Sequence, residues 1–154
     1  MRVSYIVLPK SLIDAYNHTY ASYNQSVSLI IQRGLYTFMN ERHFTSHIRK
    51  MRKVYQKKHQ TLVNTLTKYM GSDIEIIGQK AGLHLLVKVK NMSTEELVSK
   101  AKKVGVRVYD PSFYCLNKAE IKPSLVMIGF GGISEEKINK GICLLQKAWF
   151  SKDI

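Results

Sequence analysis

The chain has 154 residues, 45% hydrophobic and 23% charged, which fits an ordinary globular domain and excludes disordered, collagenous and coiled-coil classes. A chain of this length buries roughly 68 to 70% of its unfolded surface, so it needs no disulfide or metal staple. Its 24 lysines and arginines against 11 acids leave a formal charge of +13, which points to an anionic partner or to a missing acidic one.

Arg2 to Leu8 is β-branched and aromatic and ends at Pro9, which predicts a buried or half-buried strand. Ser11 is expected to cap a short helix reaching about Tyr20, with Asp14 in its first turn. After the polar break at Asn24, Gln25 and Ser26, a second helix is predicted over Val27–Met39, although Gly34 costs it about 1 kcal/mol relative to alanine. Phe44, Ile48, Met51, Tyr55, Leu62, Leu66 and Tyr69 then recur at helical spacing, giving one stripe from about Arg42 to Met70, where Gly71 stops it.

Beyond Gly71 the period changes to two. Ile74, Ile76 and Ile77, then Leu83, Leu85, Val87 and Val89, predict two strands. Thr94, Glu95 and Glu96 open a helix with Leu97, Val98, Ala101 and Val104 inward and Gly105 at its end. Val106–Tyr109 reads as a short strand, Asp110 and Pro111 as a loop, and Leu125–Phe130 as another strand. Ser134 caps a last helix with Ile138, Ile142, Leu145 and Trp149 on one face. The expected class is α/β (α+β): mostly helical residues 1–40, a long connecting helix over 41–70, and a small α/β sandwich over 71–154.

Several chemistry-bearing groups have plain structural readings. Seven lysines and arginines lie between Arg42 and Lys58, and Arg49, Arg52, Lys53, Gln56 and Lys57 share a face that can track a nucleic-acid backbone. No base-reading motif accompanies them, so a solvated or subunit-facing surface is the better reading. His43 and His47 are four apart, but Phe44 stands where a zinc peptidase has glutamate and no third ligand is evident, so no metal is expected. Cys115 reads as a packing residue and Cys143 as core; two cysteines at no metal spacing fit a reducing cytosol. Gly129, Gly131 and Gly132 fit a tight turn better than a phosphate loop. The Val3–Leu8 run is too short for a signal core or a membrane span, so the expectation is a cytoplasmic protein with no membrane partner.

Taken in order, "RVSYIVLP", "HIRKMRKVYQKKHQTLVNTL", "AGLHLLV", "GVRVYDPSFY" and "LVMIGFGGISEEKINKGICLL" resemble the C-terminal part of MocR/GabR-type regulators of the GntR family. There a winged-helix DNA-binding domain is fused to a fold-type I, aminotransferase-like module dependent on pyridoxal phosphate (PLP). The resemblance covers essentially the whole chain and implies the end of that module's large domain, a connecting helix and the whole small domain. It places Arg2 on the cofactor phosphate, a fitting role for a planar cation beside a dianion. The Schiff-base lysine would lie six residues before Met1, so the 154 residues alone are expected to be non-catalytic, binding no cofactor of their own. Ser4 stands where the family commonly has glycine. Met127 stands where aminotransferases carry an arginine for the substrate carboxylate, and methionine cannot form that fork. His84 is expected to point toward the cleft. The implied partners are a second copy in a homodimer, a small amine or amino-acid effector, and DNA through a winged helix outside these residues. A piece of a true aminotransferase is the alternative reading, and a basic nucleic-acid-binding module a further one.

Overall fold

The computed structural model describes residues 3–23, 27–78, 82–115 and 124–151. It divides into two compact units, Met1–Arg49 and Lys50–Ile154.

In the first unit, residues 3–9 form no strand. A ladder needs a neighbouring strand, and no described residue supplies one. Tyr5 is 90% exposed, so the strand expected over Arg2–Leu8 is corrected, in its described part, to an irregular solvent-facing segment. α1 (Lys10–Tyr20) starts directly after Pro9, before the expected Ser11 cap, because the proline ring presets φ at −64° for helix entry. No side chain caps it, and Asp14 falls beyond its first turn. α2 (Leu29–Asn40) starts two residues later than expected, where the Ser28 hydroxyl accepts the Ile31 N–H at 3.5 Å. It ends before Arg42, whose φ of 64° interrupts the helical path before α3 (His43–Met70) begins. No residue of α1 or α2 is buried. The aromatic contacts include Phe38, whose ring lies 6.3 Å from Phe44 and 6.1 Å from His43.

The second unit is built on a three-stranded antiparallel sheet in the order β1 (Ile74–Ile77), β2 (His84–Val89), β3 (Leu125–Gly129). Ile76 faces Val87 across the first pair and Leu86 faces Met127 across the second. Leu85, Val87, Val89, Val126 and Ile128 are buried on one face and join a single core with α3, α4 (Thr94–Lys103) and α5 (Glu135–Phe150). The expected α5 stripe of Ile138, Ile142, Leu145 and Trp149 is all buried. Of the α3 stripe only Leu62 and Leu66 are buried; Met70 takes the last core position while Tyr69 faces outward. Cys143, expected in the core, is only half-buried beside that stripe.

Local chemistry fixes the element ends. Ser93 and Glu96 form a reciprocal capping box on α4. Its far end closes with Gly105 at φ 74°: the Gly105 N–H donates to Lys102 O and the Val106 N–H to Ala101 O, a Schellman closure that favours glycine. The strand expected over Val106–Tyr109 reduces to one bridge, Tyr109 with Met127. The expected loop at Asp110 and Pro111 is one 3-10 turn, capped by the Asp110 carboxylate accepting the Ser112 N–H at 2.8 Å.

Gly141 lies mid-helix in α5, and apart from its chain neighbours and the helix's own backbone no atom lies within 4 Å of where a Cβ would stand. Gly141→Ala is therefore expected to raise stability by about 0.5 to 1 kcal/mol, read as a higher urea midpoint.

Candidate ligand cleft

At the His84 end of the sheet, β2, β3, the segment after α4 and the first half of α5 enclose a cleft of about 740 Å³. Gly129, Gly131 and Gly132 line one wall as the chain turns out of β3 toward the Ser134 cap of α5. Packing is tight at two of these glycines. A Cβ at Gly129 would meet the His84 imidazole at 3.1 Å, and one at Gly131 would meet Leu83 at 3.1 Å. The turn is pinned from both sides, since the Phe130 N–H donates to Leu83 O at 3.1 Å and the Lys58 ammonium to Gly131 O at 2.9 Å.

α3 is also fastened to the start of α5. Lys57 pairs with Glu135 at 3.0 Å, the Thr61 hydroxyl donates to the same carboxylate at 3.1 Å, and Thr65 meets Asn139 at 2.6 Å. The Lys57 ammonium bonded to Glu135 holds that carboxyl below the usual glutamate range; Thr61 and the charges of Lys57 and Lys58 act in the same sense, against a desolvation that acts oppositely. A lowered folded-state value means the stabilisation is complete above the unfolded glutamate pKa and disappears as pH falls through the lower folded value. Thermal midpoints of wild type and Glu135→Gln are thus expected to differ at neutral pH and to converge in acid, with a smaller gap in high salt.

The cleft carries three side-chain cations, Arg107, Lys137 and Lys140, and no carboxylate among the described residues lines it. His84 lies in the wall, half over Gly129. Met127 does not line the cleft. It sits half-buried on the outer face of β3, opposite Leu86 and bonded through its backbone to Tyr109 at 2.8 and 3.0 Å. Arg2 lies outside the described residues.

The cations were not legible as a group in the sequence, because they come from two segments some thirty positions apart and are contiguous only in space. His59 was also missed: it follows Tyr55 by four residues and precedes Leu62 by three, on the apolar side of α3. Its Nε2 is buried with no hydrogen-bond partner among the described residues, and its ring stands edge-on to Phe130 at 5.8 Å. That stripe spacing was the available signal. Of the remaining expectations, Arg49, Arg52, Lys53, Gln56 and Lys57 are all exposed, and His43 pairs with Glu41 at 3.3 Å. Among the described residues no group of three His, Cys, Asp or Glu can hold a metal ion, and no helix is long and apolar enough to cross a membrane.

A small antiparallel sheet with helices packed on one face and a long helix leading into it is the C-terminal architecture of an aminotransferase. The chain belongs to the aminotransferase class I and II family, whose model matches residues 1–142. Among solved structures it is similar to LysN, the α-aminoadipate aminotransferase of Thermus thermophilus, at 16% identity and a TM-score of 0.74, over 93% of this chain and 36% of that one. Among curated proteins it is 34% identical over 150 residues to the HTH-type transcriptional regulator YdeL of Bacillus subtilis, 97% of this chain and 32% of that protein. It is 23% identical to MocR of Rhizobium meliloti, a probable rhizopine catabolism regulatory protein, over 98% of this chain and 30% of that one. The chain thus spans about a third of the length of the curated relatives it matches.

Proposed function

We propose that these residues are the C-terminal part of the aminotransferase-like effector module of a GntR/MocR-type, cytoplasmic transcriptional regulator. The observation that carries this reading is the likeness to an HTH-type regulator along 97% of the chain, joined to an aminotransferase fold. In the whole protein the module binds pyridoxal phosphate, with an amine or amino-acid effector, and its domain movement changes the affinity of a winged helix for DNA. Residues 1–40 belong to the large domain, 41–70 to the connecting helix and 71–154 to the small domain. Arg2 pairs with the cofactor phosphate, His84 faces the effector cleft, and Met127 occupies the carboxylate-arginine position. The module works as a homodimer.

The described residues do not by themselves fit the cofactor. Lys137 and Lys140 are exposed, no lysine is held at a buried base of the cleft, and Arg2 is not among the residues described. No catalytic step is therefore assigned to this chain. The methionine at 127 favours sensing over ordinary transamination, since a thioether cannot replace a charged two-point hydrogen-bonding group.

Reading the genomic DNA ahead of the Met1 codon tests the assignment. The expected result is an open frame encoding the lysine-bearing half of an aminotransferase-like module preceded by a winged helix. A lysine-bearing half without a winged helix replaces the regulator with an enzyme. Purified alone and mixed with pyridoxal phosphate, the 154-residue chain is expected to show no lysine-linked absorbance that survives dialysis. A stable stoichiometric adduct contradicts the non-catalytic reading.

A further inference from the structure

We propose that the cationic cleft and a small apolar recess behind it form a binding site for a monocarboxylate with a short branched aliphatic tail. His84, which the regulator reading uses, also walls the cleft, but the proposal rests on Arg107, Lys137, Lys140 and Gly141, to which that reading gives no role.

The recess measures about 60 Å³ and is lined by core side chains, among them Leu62, Phe130, Ile138 and Leu145. Taking about 30 Å³ for a group the size of a water molecule, it accommodates about two such groups, as the two methyls of a branched tail. Recess and cleft share Val106, Arg107, Gly129, Ile133, Lys137 and Gly141, so one ligand can place an apolar end in the first and a charged end in the second. Arg107 and Lys137 line both, as side chains with apolar stems and charged tips do.

The electrostatics choose the sign of the head group. Arg107, Lys137 and Lys140, all exposed, line the cleft, and none of the three has an ion-pair partner among the described residues. An anion supplies one, and the arginine fork suits a carboxylate. Gly141 supplies an independent indication. Packing does not require a glycine there, a helix interior disfavours one, and the space its missing Cβ leaves belongs to both cavities. The recess is distinct from the position of Met127, since it lies on the helix-covered side of the sheet and Met127 on the other, while the cleft in front of it extends to Tyr109, which is bridged to Met127.

The test is a titration of the full 154-residue chain, following the backbone amide resonances of Arg107, Gly129 and Gly141. Sodium 3-methylbutanoate is expected to shift them saturably at a concentration about tenfold below that needed for acetate or inorganic phosphate, and 3-methyl-1-butanol to produce no saturable shift. Arg107→Gln with Lys140→Gln, two surface changes, is expected to raise the half-saturation point about tenfold. Gly141→Leu, which fills the recess, is expected to erase the preference over acetate while leaving the acetate response. Equal response to acetate, earlier saturation by phosphate, or unchanged binding in the double variant would each overturn the proposal.

Discussion

Trp149→Ala is expected to destabilise the Lys50–Ile154 unit by about 3 to 5 kcal/mol, the usual cost of emptying a buried tryptophan site. The indole is 3% exposed, closes the buried stripe of α5, and its Nε1–H donates to the backbone oxygen of Leu97 on α4 at 3.1 Å. Packing and hydrogen bonding thus act through one side chain. Urea denaturation of Trp149→Phe separates them: phenylalanine keeps most of the volume and gives up the donor, so its cost is expected near 1 kcal/mol for the lost bond plus a smaller cavity penalty. A loss for phenylalanine equal to that for alanine would mean that the hydrogen bond, not the packing, governs the site. Against a total stability of about 5 to 15 kcal/mol for a domain, the alanine variant is expected to be close to unfolded at elevated temperature.

Thr94→Val is the second large effect, about 1 to 3 kcal/mol of destabilisation in an almost isosteric change. The Thr94 hydroxyl donates to the carbonyl of Leu125 at 3.0 Å and accepts the N–H of the same residue at 3.1 Å. β3 is an edge strand whose outward backbone groups alternate, and Thr94 satisfies those of Leu125 while Tyr109 satisfies those of Met127. Valine removes the first of these supports and leaves a donor and an acceptor without a partner. Thr94→Ser keeps both bonds and is expected to cost clearly less in the same urea measurement. Hydrogen exchange of the Leu125 amide provides the local readout, faster in the valine variant and little changed in the serine one.

How much of this was legible beforehand depends on the range of the interaction involved. α5 announces itself through Ser134, the two glutamates after it and a four-residue apolar rhythm, all within one stretch of chain. β1 and β2 do so through the alternation from Ile74 to Val89, because one face of a sheet must be apolar to be buried. Residues 3–8 carry an equally apolar signal and form no strand, since β propensity describes a surface that suits a neighbour and does not create one. Thr94 opens its helix as its position predicts, and serves β3 as well, which its position does not reveal.

The family signature lies in motif order: "HIRKMR" followed by "AGLH" marks an aminotransferase-like module, and the aminotransferase class I and II model matches residues 1–142. The ligand cleft had no such order. Arg107 follows α4, Lys137 and Lys140 sit on α5, and nothing in their spacing joins them to Gly129 or His84. Local rules of capping, period and turn chemistry act over a few residues and can be read along the chain, so helices, strands and the α5 core face were available from composition and order. Which cations share a cavity, which hydroxyl completes an edge strand and which buried imidazole finds no partner among the described residues are set by distances between elements far apart in sequence, and folding alone brings those elements together.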